Sequence, residues 1–600
     1  MNTLVAPSES STVGRIAAVA AVLAAALWLW PLGSADVEAQ ASSADASAGT
    51  AADGGVEGNF FVEAVDVNVV NVEVYVTDRS GNRITGLTKD DFVLEVDKSP
   101  VAISNFYAVE GGRAINERPE VIEVTEPVEA EAEAEPAAPS RQNTEAVAPR
   151  PRDQRLYLIV YVDNFNLLPF SRNKVLRQAR NFLRSQVRPG DEVMLVSYDR
   201  SLKIRHPFTK DPEIISSALY ELEELTGHRV HYDSDRRDIL SQIYDDAENI
   251  YEVRGRVSQY AESIHNDMAF TLDAMGEQVE MLAGLPGRKA ILYVANGLPM
   301  RAGEDVFYAL NDKFRDSTVL MDSQRYDLSR RFQSLIARAN TNRVTFYTVD
   351  AAGLRSYSFM DASNATAGGG AQIDQVHFTN LQSPLLFLAE ETGGFAMINT
   401  NNFNKGLNKM AEDFDTYYSL GFLPAGGEKV GRYHRIKVKL KNERRGVRIR
   451  HREGYRDKPI GTRMSDTALA ALHFGFQENE LGIEIDKGLE KVHESGQFLV
   501  PLVVKVPIGK LTFLESRETQ RGRIRLWVAA KDSEGGLAEV QQVPVPIDIP
   551  SGDFSRAQEQ YYHYQLTLLM RKGRQLVSVG VRDEIGATTG FALKPVTIGG

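Results

Sequence analysis

Leu156-Tyr157-Leu158-Ile159-Val160-Tyr161-Val162-Asp163 is an unbroken apolar run that stops on a carboxylate. It is short, rich in β-branched and aromatic residues, and shows no polar alternation, which is the pattern of a strand covered on both faces. The stretch Ser171–Val187 follows with helical spacing in Val175, Ala179, Phe182 and Leu183. Pro189-Gly190-Asp191 then turns the chain into a second strand, Glu192–Tyr198. Ser201–Pro207 reads as an antiparallel return at an edge, and Asp211-Pro212 as the N-cap and first residue of a helix reaching Leu225. Ala290–Ala295 and Val344–Val349 repeat the short buried-strand pattern. Strand alternating with helix predicts a multidomain α/β plus all-β chain whose centre, residues 155–425, is Rossmann-like: a mostly parallel sheet with helices on both faces.

Between the second and third of these buried strands lies a polar helical insert, about 232–284. Val257, Tyr260, Ile264, Met268, Leu272, Met275, Val279 and Leu282 step by threes and fours and form one apolar stripe. A stripe of this kind packs on its own domain; a protruding arm for a partner is the alternative.

The flanks differ in kind. Residues 60–110 alternate with period two (Val65, Val67, Val69; Val72, Val74, Val76; Phe92, Leu94, Val96), and Asp78–Asn82 makes a turn, which predicts a small β-sandwich-like domain. Residues 111–154 are an acidic Ala/Glu/Pro linker. Residues 426–457 read as a strand extension of the central region, with Lys437, Lys439, Arg444, Arg445, Arg448, Arg450 and Arg452 expected on its wet face. A connector, 458–497, leads to a C-terminal β-sandwich-like domain over 498–600.

At the N-terminus, Arg15, the apolar run Ile16–Trp30, the break at Pro31 and the Ala39-Gln40-Ala41 site compose a secretory signal over 1–41, followed by a flexible lead-in over 42–59. The expected location is therefore outside the cytoplasm, periplasmic or extracellular; an uncleaved anchor over residues 16–30, holding the chain near a membrane, is the alternative. The 600 residues carry a net charge of −13, which disfavours a general nucleic-acid binder. There are no cysteines, so disulfides, thiolate metal sites and a cysteine nucleophile are excluded.

The central segments resemble the von Willebrand factor type A domain: Leu156–Asp163, Pro189–Val193, Leu285–Gly297 and Val344–Asp350. Val72–Phe106 and Tyr417–Phe422 with Arg452–Tyr455 further resemble the flanks of the acidobacterial-type VWFA-related family, so that the likeness covers about 60–457. The resemblance implies a divalent-cation site at the strand ends, built from Asp-x-Ser-x-Ser, a loop Thr and a later Asp. Asp163 stands at the first aspartate, whereas Phe165 and Leu167 occupy the serine positions and Asn296 the late aspartate. Asn166 is a further weak candidate, and Thr209 and Thr226 both qualify as the loop threonine. Mg²⁺ and Ca²⁺ need full oxygen shells, so this set predicts no tight metal site and no cofactor.

No catalytic constellation is present. Asp163 has no identifiable activating partner, His228, His231, Asp233 and Asp235 read as a surface loop, and no phosphate-binding glycine motif stands at a strand-to-helix turn. The expected function is therefore non-catalytic binding of a protein or cell-envelope polymer. An envelope hydrolase using Asp163 and a structural scaffold are the alternatives.

Overall fold

The computed structural model describes residues 69–115, 155–227, 229–355, 370–424, 431–442, 445–516 and 518–599. The expected signal, lead-in, anchor segment and most of the acidic linker lie outside these residues.

Five strands open the described chain: β1 (Val70–Thr77), β2 (Phe92–Val96), β3 (Ser99–Val101), β4 (Asn105–Glu110) and β5 (Arg113–Ile115). The α/β region follows. It begins with β6 (Leu156–Asp163), α1 (Pro169–Gln186), β7 (Glu192–Tyr198), β8 (Leu202–Thr209) and α2 (Pro212–Leu222). Next come α3 (Arg229–Ser241), α4 (Tyr251–Met281), β9 (Arg288–Ala295), α5 (Glu304–Phe314), α6 (Thr318–Ser323) and α7 (Ser329–Thr341). It ends with β10 (Val344–Asp350), α8 (Gly370–Glu391), β11 (Ala396–Met397) and α9 (Asn404–Asp415).

These strands form a six-stranded sheet in the order β11-β10-β9-β6-β7-β8, parallel except for β8. Every residue of β6 and β9 is buried, because both faces of the sheet are covered. On one face Tyr157, Ile159, Met194 and Ile291 pack against Met268, Met275, Phe332 and Leu385 of α4, α7 and α8. On the other, Leu158, Val160, Leu195 and Leu292 meet Val175, Leu219, Leu407 and Phe414 of α1, α2 and α9. The apolar stripe of the insert lies within its own domain: Val257, Met268, Met275 and Val279 are all buried.

The flanking strands redraw the expected divisions. After β12 (Tyr417–Phe422), β13 (Tyr433–Leu440), β14 (Arg448–Arg450) and β15 (Gly454–Arg456), the pairing orders are β14-β1-β12-β4-β5 and β15-β13-β2-β3. Residues 60–110 therefore do not close a unit alone, the strands of 426–457 pair with β1 and β2, and the segment expected to end the central domain at 425 already contains β12. Period two fixes which face of a strand is buried but not which strand lies beside it. β12 inserts between β1 and β4, and the two sheets share one core that includes Val72, Val74, Phe92, Leu94, Leu420 and Val438. The α/β region is thus inserted into a module built from both of its flanks.

The wet-face expectation for the basic strands is corrected at Arg450 and Arg452. Arg450 donates to Asp413 at 2.7 and 2.9 Å, and Arg452 is buried with bonds to the carbonyls of Asn340 and Asn71. Lys437 and Arg448 do face solvent.

The expected connector is also structured. Helix α10 (Ile460–Phe474) puts Ala470 into the α/β core and packs Met464, Ala468 and Leu472 on Trp527 and Phe591. The strands β16 (Glu484–Lys487) and β17 (Lys491–Val492) pair with β18 (Phe498–Pro507), so the C-terminal module begins before residue 498. It continues through β19 (Leu514–Ser516), β20 (Thr519–Asp532), β21 (Gln541–Pro550), β22 (Tyr561–Met570), β23 (Gly573–Asp583) and β24 (Thr589–Ile598). Its two sheets share a core of Val500, Leu502, Val504, Leu526, Val545, Val577 and Val579.

Candidate functional site

From β6 the sheet grows toward β7 in one direction and toward β9 in the other, so the order reverses between β6 and β9. The crevice beyond the carboxyl ends of these strands is where open α/β sheets bind ligands. Asp163 ends β6, Asn296 follows β9, and Asp350 ends β10.

Asp163 is fully buried and its oxygens are engaged from within the protein. The Tyr293 hydroxyl donates to it at 2.5 Å, the Asn166 side-chain amide at 2.9 Å and the Asn166 backbone N–H at 3.1 Å. Burial pushes the carboxyl up to about 6, although these hydrogen bonds and Arg229 pull the other way. Phe165 and Leu167, at the expected serine positions, are core residues at 1% and 0% exposure. Phe165 packs edge-on to Tyr198 and Tyr232, with the Arg200 guanidinium over its face. The metal-bearing alternative therefore loses two oxygens and gains an apolar plug.

Asn296 and Asn166 do come together: the Asn296 N–H donates to the Asn166 carbonyl at 2.9 Å. Each keeps a buried side-chain oxygen with no hydrogen-bond partner among the described residues. The loop threonines separate. Thr209 pairs with Val193, at the opposite end of the sheet, whereas the Thr226 carbonyl accepts from Asn164 at 2.7 Å on the crevice side. His231 and Asp235 are exposed on α3 and Asp233 takes Arg229, so the expected loop is a helix there; His228 lies outside the described residues.

Sequence reasoning missed the residues that complete the crevice. The Arg355 guanidinium bonds Asp350 at 2.8, 2.9 and 3.1 Å and the Asn296 carbonyl at 2.9 Å. Gln382 of α8 donates to Asp350 at 2.9 Å and to Asn399 at 3.0 Å. The one signal available was an arginine five positions after a strand-end aspartate, which is too common a spacing to single out. Beside this lies a cleft of about 410 Å³, mouth included, whose lining includes Asn166, Arg229, Tyr232, Asp305, His377 and Asn380. Asp305 and His377 are tied into a buried cluster with Arg236 and Asp374. Arg236 and His377 hold the Asp305 carboxyl well below its usual range against the opposing effect of burial.

A divalent cation does not fit this set. The oxygens of Asp163 are taken by internal donors, two ligand positions are apolar, and a guanidinium already stands between Asp350 and Asn296. Among the described residues, no group of three or more acidic or histidine side chains could hold a metal.

No protein-family model and no curated protein matches the chain. Solved structures similar to part of it include an aerotolerance-related membrane protein from Bacteroides fragilis, at 11% identity over 43% of this chain and 98% of that one, TM-score 0.22. Another is the vWF domain of the type V pili tip protein Mfa5 from Porphyromonas gingivalis, at 11% identity over 43% and 94%, TM-score 0.22. A third is a von Willebrand factor type A protein from Catenulispora acidiphila, at 10% identity over 74% and 66%, TM-score 0.21. At these values the reading of the site rests on its own residues.

Proposed function

We propose that this chain is an exported, non-catalytic binding protein of the von Willebrand factor A type, in which the strand-end crevice takes a protein or envelope-polymer partner without a divalent cation. The observation that carries the reading is Arg355. Its guanidinium bridges the Asp350 carboxylate and the Asn296 carbonyl, supplying positive charge from the protein itself at the strand ends. The alternative, a hydrolase using Asp163, gains from the raised pKa but loses access, since the carboxylate has no exposed surface.

The test is capture of partners from envelope fractions on the immobilised full chain, with and without a chelator, alongside calorimetric titration with Mg²⁺ and Ca²⁺. Capture that survives chelation and is reduced by Arg355→Ala supports the proposal. A saturable micromolar Mg²⁺ or Ca²⁺ signal abolished by Asp163→Ala overturns it. Hydrolytic turnover lost in Asp163→Ala overturns the non-catalytic part.

A further inference from the structure

In the C-terminal module β18 is paired on one side with β16 and β17 and on the other, over its whole length, with β22. β22 itself pairs only with β18 among the described residues, so alternate N–H and C=O groups along ten residues point away from the sheet with no strand to receive them. Such an edge invites another chain, and proteins ordinarily blunt it with charge, proline or shortness.

The other sheet-ending strands follow that rule. β21 carries Pro544, Pro546 and Pro550 on alternate positions. Because these share one side of the strand with their missing N–H groups, that edge cannot extend a ladder. β8 has Lys203, Arg205 and Pro207, β24 has Lys594 and Pro595, and β3 and β5 are three residues each. β22, Tyr-Tyr-His-Tyr-Gln-Leu-Thr-Leu-Leu-Met, has no charged residue and no proline.

We propose that β22 is a dimerisation edge, at which two copies of this chain pair β22 antiparallel across a two-fold axis centred on Gln565. The order of residues argues for a second copy. The first half of the strand is aromatic (Tyr561, Tyr562, Tyr564) and the second aliphatic (Leu566, Leu568, Leu569), so antiparallel self-pairing sets each aromatic opposite an aliphatic. Tyr561 meets Leu569 of the second copy on the outer face. Tyr562 meets Leu568, and Tyr564 meets Leu566, on the face continuous with the module core. The same register sets Glu559 against Arg571 of the second copy, twice by symmetry. Both residues are exposed just beyond the strand ends. Tyr561 and Leu569 are exposed at 45% and 40% in the single chain, an apolar surface the pairing covers. Two ten-residue strands joined this way make one continuous sheet across both copies, and each pair then carries two crevices, which raises avidity for a polymeric partner.

The experiment is sedimentation equilibrium of the full chain at micromolar concentration, with Gln565→Lys and Gln565→Glu made separately. Wild type is expected at twice the chain mass. Each variant places like charges across the axis and is expected as a monomer that keeps the wild-type circular-dichroism spectrum, since Gln565 is exposed and its substitution leaves the core intact. An equimolar mixture of the two variants is expected to recover the doubled mass. A monomeric wild type overturns the proposal, and so does a Gln565→Lys protein that keeps its doubled mass. A mixture that stays monomeric overturns the register.

Discussion

The two ends of the central sheet are built from opposite kinds of chemistry. At the amino ends of the parallel strands, Arg288 is buried, lies 3.9 Å over the Tyr417 ring, and donates to the Tyr75 hydroxyl and to the carbonyls of Asp413 and Phe414. Asp413 receives Arg83, Arg450 and the Tyr347 hydroxyl. Beside them, burial would raise the Glu73 carboxyl, but Arg343, Arg452 and Arg288 outweigh it and bring it down to about 2. Lys289 donates to the Leu285 carbonyl at 2.7 Å, and burial, reinforced by Arg343 and Lys458 against Glu73 and Asp466, pushes it down to about 7. At the carboxyl ends, Asp163 is held by the neutral donors Tyr293 and Asn166 and Asp350 by the Arg355 guanidinium, with the Asp305–Arg236–Asp374 cluster further along the cleft. The dense network bolts the α/β region to the two-sheet module formed by its flanks. The carboxyl end leaves the Asn166 and Asn296 amide oxygens unpartnered among the described residues, next to a cleft. Ion pairs between two regions fix a joint, whereas neutral amide oxygens left open beside a cleft offer something for a partner to complete.

The sharpest way to break this contrast is Asp413→Ala. It strands Arg83 and Arg450 beside apolar surface, and a loss of about 3–5 kcal/mol in urea unfolding is expected. A loss below about 1 kcal/mol means the network is solvated and the bolt is not there.

Asp163→Asn probes the other end through pH. A carboxyl whose folded pKa is raised stabilises the fold fully below its unfolded pKa, and that contribution fades as pH rises through about 6. The difference in unfolding free energy should therefore move in the variant's favour by up to about 3 kcal/mol between roughly pH 4 and pH 7. A difference that stays flat across this window removes the claim that Asp163 is held by neutral donors in a dry site.

Arg355→Met should cost less, about 2 kcal/mol, because Gln382 and the Ala352 N–H still serve Asp350. Equal losses here and at Asp413 would erase the distinction between the two ends.

The smallest effect is expected for Asn296→Asp. Placing a carboxylate at this position leaves Phe165 and Leu167 as they are, so calorimetry should record no tight Mg²⁺ binding and stability should change by about 1 kcal/mol or less. Micromolar binding would show that one charge is all the site lacks.

Much of the α/β region was legible from residue order. The runs at Leu156–Asp163, Glu192–Tyr198, Ala290–Ala295 and Val344–Val349 are strands because a stretch with no polar face must be covered on both sides. The stripe from Val257 to Leu282 is a helix face for the same local reason. The lack of ligand oxygens at Phe165 and Leu167 and of a charge at Asn296 could likewise be read directly, because ligand chemistry belongs to the side chain. Tertiary structure alone decided the pairings. That β12 lies between β1 and β4, that Arg450 turns from the expected wet face to Asp413, and that Tyr293 and Gln382 close on two strand-end carboxylates all join residues far apart in the chain. Periodicity carries information over a few residues and records which side of a strand is apolar. It holds nothing about which distant segment supplies the missing edge or the missing charge, and those depend on where the whole chain has already packed.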